Sequence, residues 1–190
     1  MSIERAISSL DHPLVKHLVK LRTDSSYRNE QKLLVLDGLK PIQEISHLLT
    51  KIFFTPSYAA AASGLLGEKW EITEPLLKKI SGMTSPEGIL AEIRMPAYIT
   101  LEKQRLVLAL DGISDPGNLG TLLRTALALG WDAVYLLPGS CDPYNEKALR
   151  AGRGAHFKLD LAKGSVDDLH AWATQRNIQT LVADSAGLAP

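Results

Sequence analysis

The chain has 190 residues, a formal net charge of +0, 45% apolar residues and 22% charged ones. This is the balance of a globular protein of one or two domains with a sizeable core, and it excludes a chain that is basic throughout, so a nucleic-acid site has to be a local patch. Cys141 is the only cysteine, which excludes an intrachain disulfide and a cysteine-rich zinc site; the histidines show no metal-ligand spacing, no apolar run approaches membrane-spanning length, and "MSIERAISSL" carries charge too early for a signal segment, so the cytoplasm is the expected compartment.

In chain order, "DHPLVKHLVKLRTD" predicts a helix with Leu14, Val15, Leu18, Val19 and Leu21 on its apolar face, Asp11 as N-cap and Pro13 in the first turn. Lys16, His17, Lys20 and Arg22 share its outer side, which is either a solvated face or a phosphate-contacting one. "KLLVLDG" predicts a buried strand, "LKPIQEISHLL" a helix, "KIFFT" a strand and "PSYAAAASGLLG" a helix. "KWEIT" follows as a strand, "EPLLKKISG" as a short helix, and "SPEGILAEIRM" as a turn and strand. The alternation predicts a small α/β domain over 31–96, preceded by a helical segment over 1–30 and followed by a linker at 97–104.

From residue 105 to 190 strands and helices alternate again. Strands are predicted at Leu106–Leu110, Ala133–Leu136, Phe157–Leu161 and Thr180–Ala183, with helices near Leu119–Leu129, Pro143–Ala151 and Val166–Gln175. The strands are continuous apolar runs, the mark of a parallel sheet covered on both faces.

Two loops carry the chemistry. In "DGISDPGNLGTLLRTALALG" the first strand ends at Asp111 and Gly112, "SDPGN" makes a tight turn, Asn118 is the expected N-cap and Gly130 the stop. Leu122, Leu123, Ala126 and Leu127 form the core stripe of the helix. Gly120, Arg124 and Ala128, four apart, lie on the other side, so a long cation stands between two small residues. Small flanks admit another body, a nucleic-acid backbone or a second subunit; an ordinary surface arginine is the other reading. Asp115, Asn118 and the helix start sit beyond the strand tips, where open α/β sheets collect ligands. Neither a nucleotide-triphosphate loop nor a dinucleotide fingerprint is present.

The second loop, "CDPYNEKALRAGRGAHFKLDL", has Asp142 as expected N-cap and Pro143 at the first helical position. Lys147, Arg150 and Arg153 form a compact basic group beside the first loop, as phosphate contacts require, or else a solvated helix end. Tyr144 is placed either to stack on a base or to pack a helix.

These residues carry a resemblance. "DGISDPGNLGTLLRTALALGWDAVYLL" resembles the first motif, and "DPYNEKALRAGRGAHFKL" the second motif, of the SpoU (TrmH-type) family of RNA ribose methyltransferases in the SPOUT superfamily. Asp111, Gly112, Pro116, Asn118, Gly120 and Arg124 all fall in place. "SSLDHPLVKHLVKLR", "LLVLDGLKPIQEI" and "ISGMTSPEGILAEI" are similar to the ribosomal-protein-like substrate-binding domain that precedes many such enzymes. Asp37 stands where the family usually has glutamate, and Arg153 where a smaller residue is usual.

The resemblance implies an α/β architecture: a small N-terminal substrate-binding domain followed by a parallel-sheet SPOUT methyltransferase domain, usually a homodimer. It implies methyl transfer from S-adenosylmethionine to a ribose 2′-hydroxyl, on ribosomal RNA in preference to transfer RNA; a non-catalytic RNA-binding relative is the alternative. Arg124 takes the catalytic position with Asn118 as its partner. RNA contacts are expected at Lys147, Arg150, Arg153, Arg28 and Lys16. The family's third motif, a glycine-rich loop and a serine–asparagine stretch, completes the knot and most of the methyl-donor pocket. It has no counterpart up to "LVADSAGLAP", so the knot region reads as truncated. Cofactor contacts are expected beyond Pro190, and the 190-residue chain alone is expected to bind S-adenosylmethionine weakly or not at all.

Overall fold

The structure, a computed structural model, describes residues 5–183. The first domain is a five-stranded sheet built from β1 (Ala6–Ile7), β2 (Leu33–Asp37), β3 (Leu49–Phe54), β4 (Glu68–Ile72) and β5 (Ile89–Arg94), in the order β1-β4-β3-β5-β2. β1, β4 and β3 run parallel, while β5 is antiparallel to both β3 and β2. Its helices are α1 (Pro13–Thr23), α2 (Ser25–Gln31), α3 (Leu39–Glu44), α4 (Ala59–Ser63) and α5 (Glu74–Ser81). The second domain is a three-stranded parallel sheet, β6 (Val107–Leu110), β7 (Ala133–Leu136) and β8 (Asp160–Lys163), with α6 (Pro116–Ala128), α7 (Glu146–Gly152) and α8 (Val166–Gln175). Among the described residues no helix is long and apolar enough to cross a membrane.

The apolar face of α1 behaves as its spacing requires: Val15, Leu18 and Leu21 are fully buried, in one core with Phe53, Leu76 and Ile80. Its polar face does not stay in water as a unit. His17 turns toward the sheet and bonds Tyr27 Oη at 2.8 Å and Glu92 Oε2 at 3.0 Å. Glu92 is 0% exposed in the middle of β5. It is tolerated there because Thr50 (2.7 Å) and Lys51 (2.5 Å) donate to its other oxygen.

A second core joins the domains. Leu34, Leu36 and Ile52 of the first sheet pack in one cluster with Leu119 and Leu123 of α6 and Leu149 of α7. Residues 97–104 lie along the second sheet: the Ile99 N–H donates to the Leu161 carbonyl at 2.8 Å, and Leu101 is buried with Tyr135 and Ala162.

Several local expectations are corrected. The stretch expected as one helix from Leu39 ends at Glu44 and continues as a single 3₁₀ turn, Ser46–Leu48; the helix expected from Pro56 is likewise a 3₁₀ turn followed by α4. The third strand of the second domain starts at Asp160, not Phe157. Gly154 takes a left-handed conformation (φ +86°), and Ala155–Phe157 form a 3₁₀ turn that buries His156. A short apolar run fits a buried turn as well as a strand. Thr180–Ala183 form no strand; Leu181 and Val182 are 81% and 83% exposed. Strand-favouring residues adopt a strand only when a neighbouring ladder pairs them.

Candidate functional site

β6 delivers the first loop to the C-terminal edge of the second sheet. Gly112 sits at φ +59°, which a glycine adopts without strain. The N-cap of α6 is Asp115, not Asn118: Asp115 Oδ1 accepts from the Asn118 N–H at 2.7 Å, and Pro116 occupies the first helical turn. The correction frees the Asn118 side chain, which is exposed. One face of α6 buries Leu119, Gly120, Leu123 and Ala126. Thr121, Arg124, Thr125 and Ala128 are exposed on the opposite side. The two threonine hydroxyls donate to helix carbonyls one turn back, both at 2.9 Å. Arg124 is the long polar group that remains, and it forms no ion pair among the described residues.

Gly120 serves a different purpose from the one its spacing suggested. It is buried against α7, and a Cβ there would meet the Ala148 carbonyl oxygen at 2.3 Å and Ala151 Cβ at 2.8 Å. The close approach it allows is therefore to α7 of the same chain. On the other flank of Arg124, Ala128 stays open to solvent.

The second loop is tied to the first. The Cys141 N–H donates to the Ile113 carbonyl at 2.8 Å, the Ser140 hydroxyl donates to the Leu110 carbonyl at 3.1 Å, and the Ile113 N–H donates to the Ser140 hydroxyl at 3.3 Å. Burial pushes the Cys141 thiol up, away from nucleophilic use. α7 begins at Glu146, capped by Asn145, whose Oδ1 accepts from the Lys147 N–H at 2.9 Å. Asp142, the expected cap, lies one turn earlier and accepts from the Tyr144 N–H at 2.8 Å. Tyr144 is 2% exposed beside Tyr98 and His156, which rules out stacking on a base. Burial lowers the His156 pKa to about 4.

The expected RNA contacts divide. Lys147, Arg150 and Arg153 are all exposed on and just after α7, the helix that packs on α6, so they share one side of the domain with the Arg124 helix. Arg150 is loosely paired with Glu146 at 3.6 Å. Arg153 is the C-cap of α7 and holds φ +45°, a conformation that costs about 1 kcal/mol or more in a non-glycine residue. Lys16 is exposed on α1 and pairs with Asp11 at 3.2 Å. Arg28 is a correction: it is 3% exposed. It donates to the carbonyls of Leu21 (2.8 Å) and Arg22 (2.9 Å) and forms a salt bridge with Asp142 across the domain boundary. A cation buried to this degree is not presented to RNA.

Two further pairs cross the same boundary, Arg22–Glu146 at 2.7 Å and Lys158–Glu44 at 2.6 Å. Burial opposes ionisation of Glu146, but Arg22 and Arg150 outweigh it and hold the carboxyl below its usual range. Asp37 goes the other way. Burial at the end of β2 raises it from 3.8 to about 6, against the pull of Arg150 and Arg22. The folded state therefore holds more protons than the unfolded state between pH 3.8 and about 6, and stability falls as pH rises through that window. Asp37→Asn is expected to be more stable than the parent by about 2 kcal/mol at pH 8, with the gain vanishing near pH 4. Urea unfolding at the two pH values measures it; a pH-independent difference refutes the assignment.

Known proteins align with this geometry. Residues 105–189 match the family model described as the SpoU rRNA Methylase family. The chain is 38% identical over 104 residues to the Bacillus subtilis 23S rRNA (guanosine(2553)-2'-O)-methyltransferase RlmP, covering 53% of this chain and 42% of that protein. It is 29% identical over 186 residues to human mitochondrial rRNA methyltransferase 3, covering 85% of this chain and again 42% of the relative. Among solved structures, the AdoMet-bound rRNA methyltransferase of Sinorhizobium meliloti superposes with a TM-score of 0.77 at 26% identity, over 90% of this chain and 68% of that one. The chain thus spans less than half the length of the two sequence relatives named. The parallel sheet, its two interlocked loops and the matched residues make the second domain similar to the SpoU rRNA Methylase family.

Proposed function

We propose that this protein transfers a methyl group from S-adenosylmethionine to a ribose 2′-hydroxyl of RNA, on ribosomal RNA in preference to transfer RNA, in the cytoplasm and as a homodimer. The observation that carries the reading is Arg124: an exposed guanidinium without an ion-pair partner among the described residues, on the helix that starts at the strand tips and packs on the helix bearing Lys147 and Arg150. The relatives named above are rRNA methyltransferases, and one solved relative is AdoMet-bound. In this reading the first domain, α1 and α2 included, holds RNA, and the domain from residue 105 carries the chemistry.

The described residues fit part of a donor site. A cleft of about 550 Å³ opens at the ends of β7 and β8, lined by Tyr98, Leu137, Gly139, Cys141 and Gly164, at the edge where parallel sheets take ligands. Gly139 borders the first loop, where a Cβ would lie 3.7 Å from Gly112 Cα. These loops would hold the donor, which supplies an already electrophilic methyl group when bound. The protein's part is to align the ribose oxygen, worth roughly 7–11 kcal/mol in favourable cases, and to stabilise the alkoxide that develops there. Arg124 suits the second task. A guanidinium keeps its proton and is a poor base, so it pins a phosphate and stabilises the oxyanion while the proton leaves late or through water. Lys147, Arg150 and Arg153 hold the strand by its phosphates.

The test is methyl transfer to ribosomal and transfer RNA by the whole protein, read as 2′-O-methylnucleosides by mass spectrometry. Product on ribosomal RNA is expected. RNA binding without product would replace this reading with that of a non-catalytic RNA-binding protein.

A further inference from the structure

Between the two domains lies another cleft, of about 500 Å³, lined by neither Asn118 nor Arg124. Leu36, Pro41 and Met83 line it from the first domain and Leu149 from the second. Asp37, Arg22, Arg150 and Arg153 are among its polar groups, with Lys40, Glu44, Glu87, Glu146 and Lys158. Two buried atoms there have no hydrogen-bond partner: the acceptor Asp37 Oδ1 and the donor Arg22 Nε. Each such group carries a desolvation cost that a bound ligand would offset.

Both groups are fixed in place. Arg22 Nη1 donates to Glu146 at 2.7 Å, and its guanidinium lies against Gly82, where a Cβ would come within 2.3 Å of it. Asp37 is held by the β2–β5 ladder opposite Leu90. Arg153 lines this cleft from a left-handed backbone position. The result is a slot with apolar walls and several guanidinium donors in which Asp37 is the carboxylate with an unpartnered oxygen, since Glu44, Glu87 and Glu146 are bonded to Lys158, the Leu39 N–H and Arg22.

This chemistry selects among the RNA bases. A carboxylate accepts two parallel N–H bonds and donates none. Guanine alone presents two adjacent N–H groups, N1–H and the 2-amino group, on its Watson–Crick edge, next to the O6 acceptor that guanidinium recognises. Uracil offers one N–H flanked by two carbonyls, and adenine and cytosine each set an acceptor beside their amino group.

We propose that the interdomain cleft binds an unpaired guanine of the RNA, with the Asp37 carboxylate accepting from N1–H and the 2-amino group and with Arg22 and Arg150 facing O6. The inference rests on the RNA-binding reading above and adds where an unpaired base sits. Because Asn118 and Arg124 lie outside the cleft, this guanine belongs to a different nucleotide from the one at the reacting ribose. At pH 7.5, above the Asp37 pKa of about 6, the group is the ionised acceptor; Arg22, Arg150 and Glu146 are the charges that act on it.

The experiment is an NMR titration of the 190-residue chain at pH 7.5 with GMP, IMP and ribose 5-phosphate, read at the Gly38 and Gly154 amides that border the cleft. GMP is expected to bind, IMP, which lacks the 2-amino group, about tenfold more weakly, and ribose 5-phosphate more weakly still. Asp37→Asn should erase the difference between GMP and IMP, and Met83→Trp, which fills the cleft from its apolar side, should abolish binding. Equal binding of GMP and ribose 5-phosphate would mark a phosphate site and overturn the proposal. So would a GMP preference that survives in Asp37→Asn, or shifts at neither amide. Methyl transfer is measured separately, so the cleft and the catalytic reading can each fail alone.

Discussion

Arg124→Ala is expected to lower methyl transfer by the whole protein by about 10²–10³-fold or more, while RNA affinity stays within about threefold. The separation follows from where Arg124 stands. Its side chain is exposed, and the helix beneath it is held by Leu119, Leu123 and Ala126. Truncation should therefore change stability by no more than about 0.5 kcal/mol. On the proposed reading, what is lost is the cation at the point where a sugar oxygen becomes negative, an interaction that strengthens only in the transition state. Arg124→Lys separates charge from shape: lysine restores the charge but not the planar fork. Single-turnover kinetics with nucleoside mass spectrometry, beside anisotropy for RNA binding, reads both quantities. Full activity in the lysine variant would remove the fork from the mechanism, and equal losses of affinity and turnover in the alanine variant would make Arg124 a binding residue only.

Arg28→Ala is expected to have the largest effect on stability, about 3 kcal/mol, or roughly 6–12 °C in melting temperature. The variant leaves two backbone carbonyls and the Asp142 carboxylate without their donor at a closed domain boundary. Breaking one side of a buried pair costs more than the pair contributes, because the remaining charge stays desolvated. Arg28→Lys keeps the charge but cannot reach three acceptors in one plane, so an intermediate loss is expected. Thermal melting by circular dichroism measures both. If Arg28 were instead a phosphate contact, the alanine variant would melt like the parent and lose RNA affinity.

The contrast between these two arginines shows how far the pattern of residues reaches. Arg124 was legible because its surroundings are local: a strand run, a turn rich in Gly, Pro and Asn, and a stripe of leucines set which side of α6 faces water. Arg28 was not, because its helix α2 ("SSYRNEQ") has no apolar stripe to announce it and buries only Arg28. A weak signal existed in Asp24, whose side chain caps α2 by accepting from the Tyr27 N–H at 3.0 Å. The helix caps show the same limit at short range. Asp115 and Asn118, or Asp142 and Asn145, are equally good caps by residue type, and the turn geometry chooses between them. Gly120 was recognised as a place of close approach, but what approaches it, α7, comes from almost thirty residues further along.

By itself the sequence determined the alternation of strands and helices, the two loops beyond the strand tips and the exposed Arg124, since periodicity and turn chemistry act over a few residues. Only the tertiary structure decided which cations remain free and which lock the domains. Those choices depend on partners far away in the chain, 114 residues for Arg28 and Asp142 and 124 for Arg22 and Glu146. Whether a charge is solvated or neutralised is settled by what packs against it, and no local spacing encodes that.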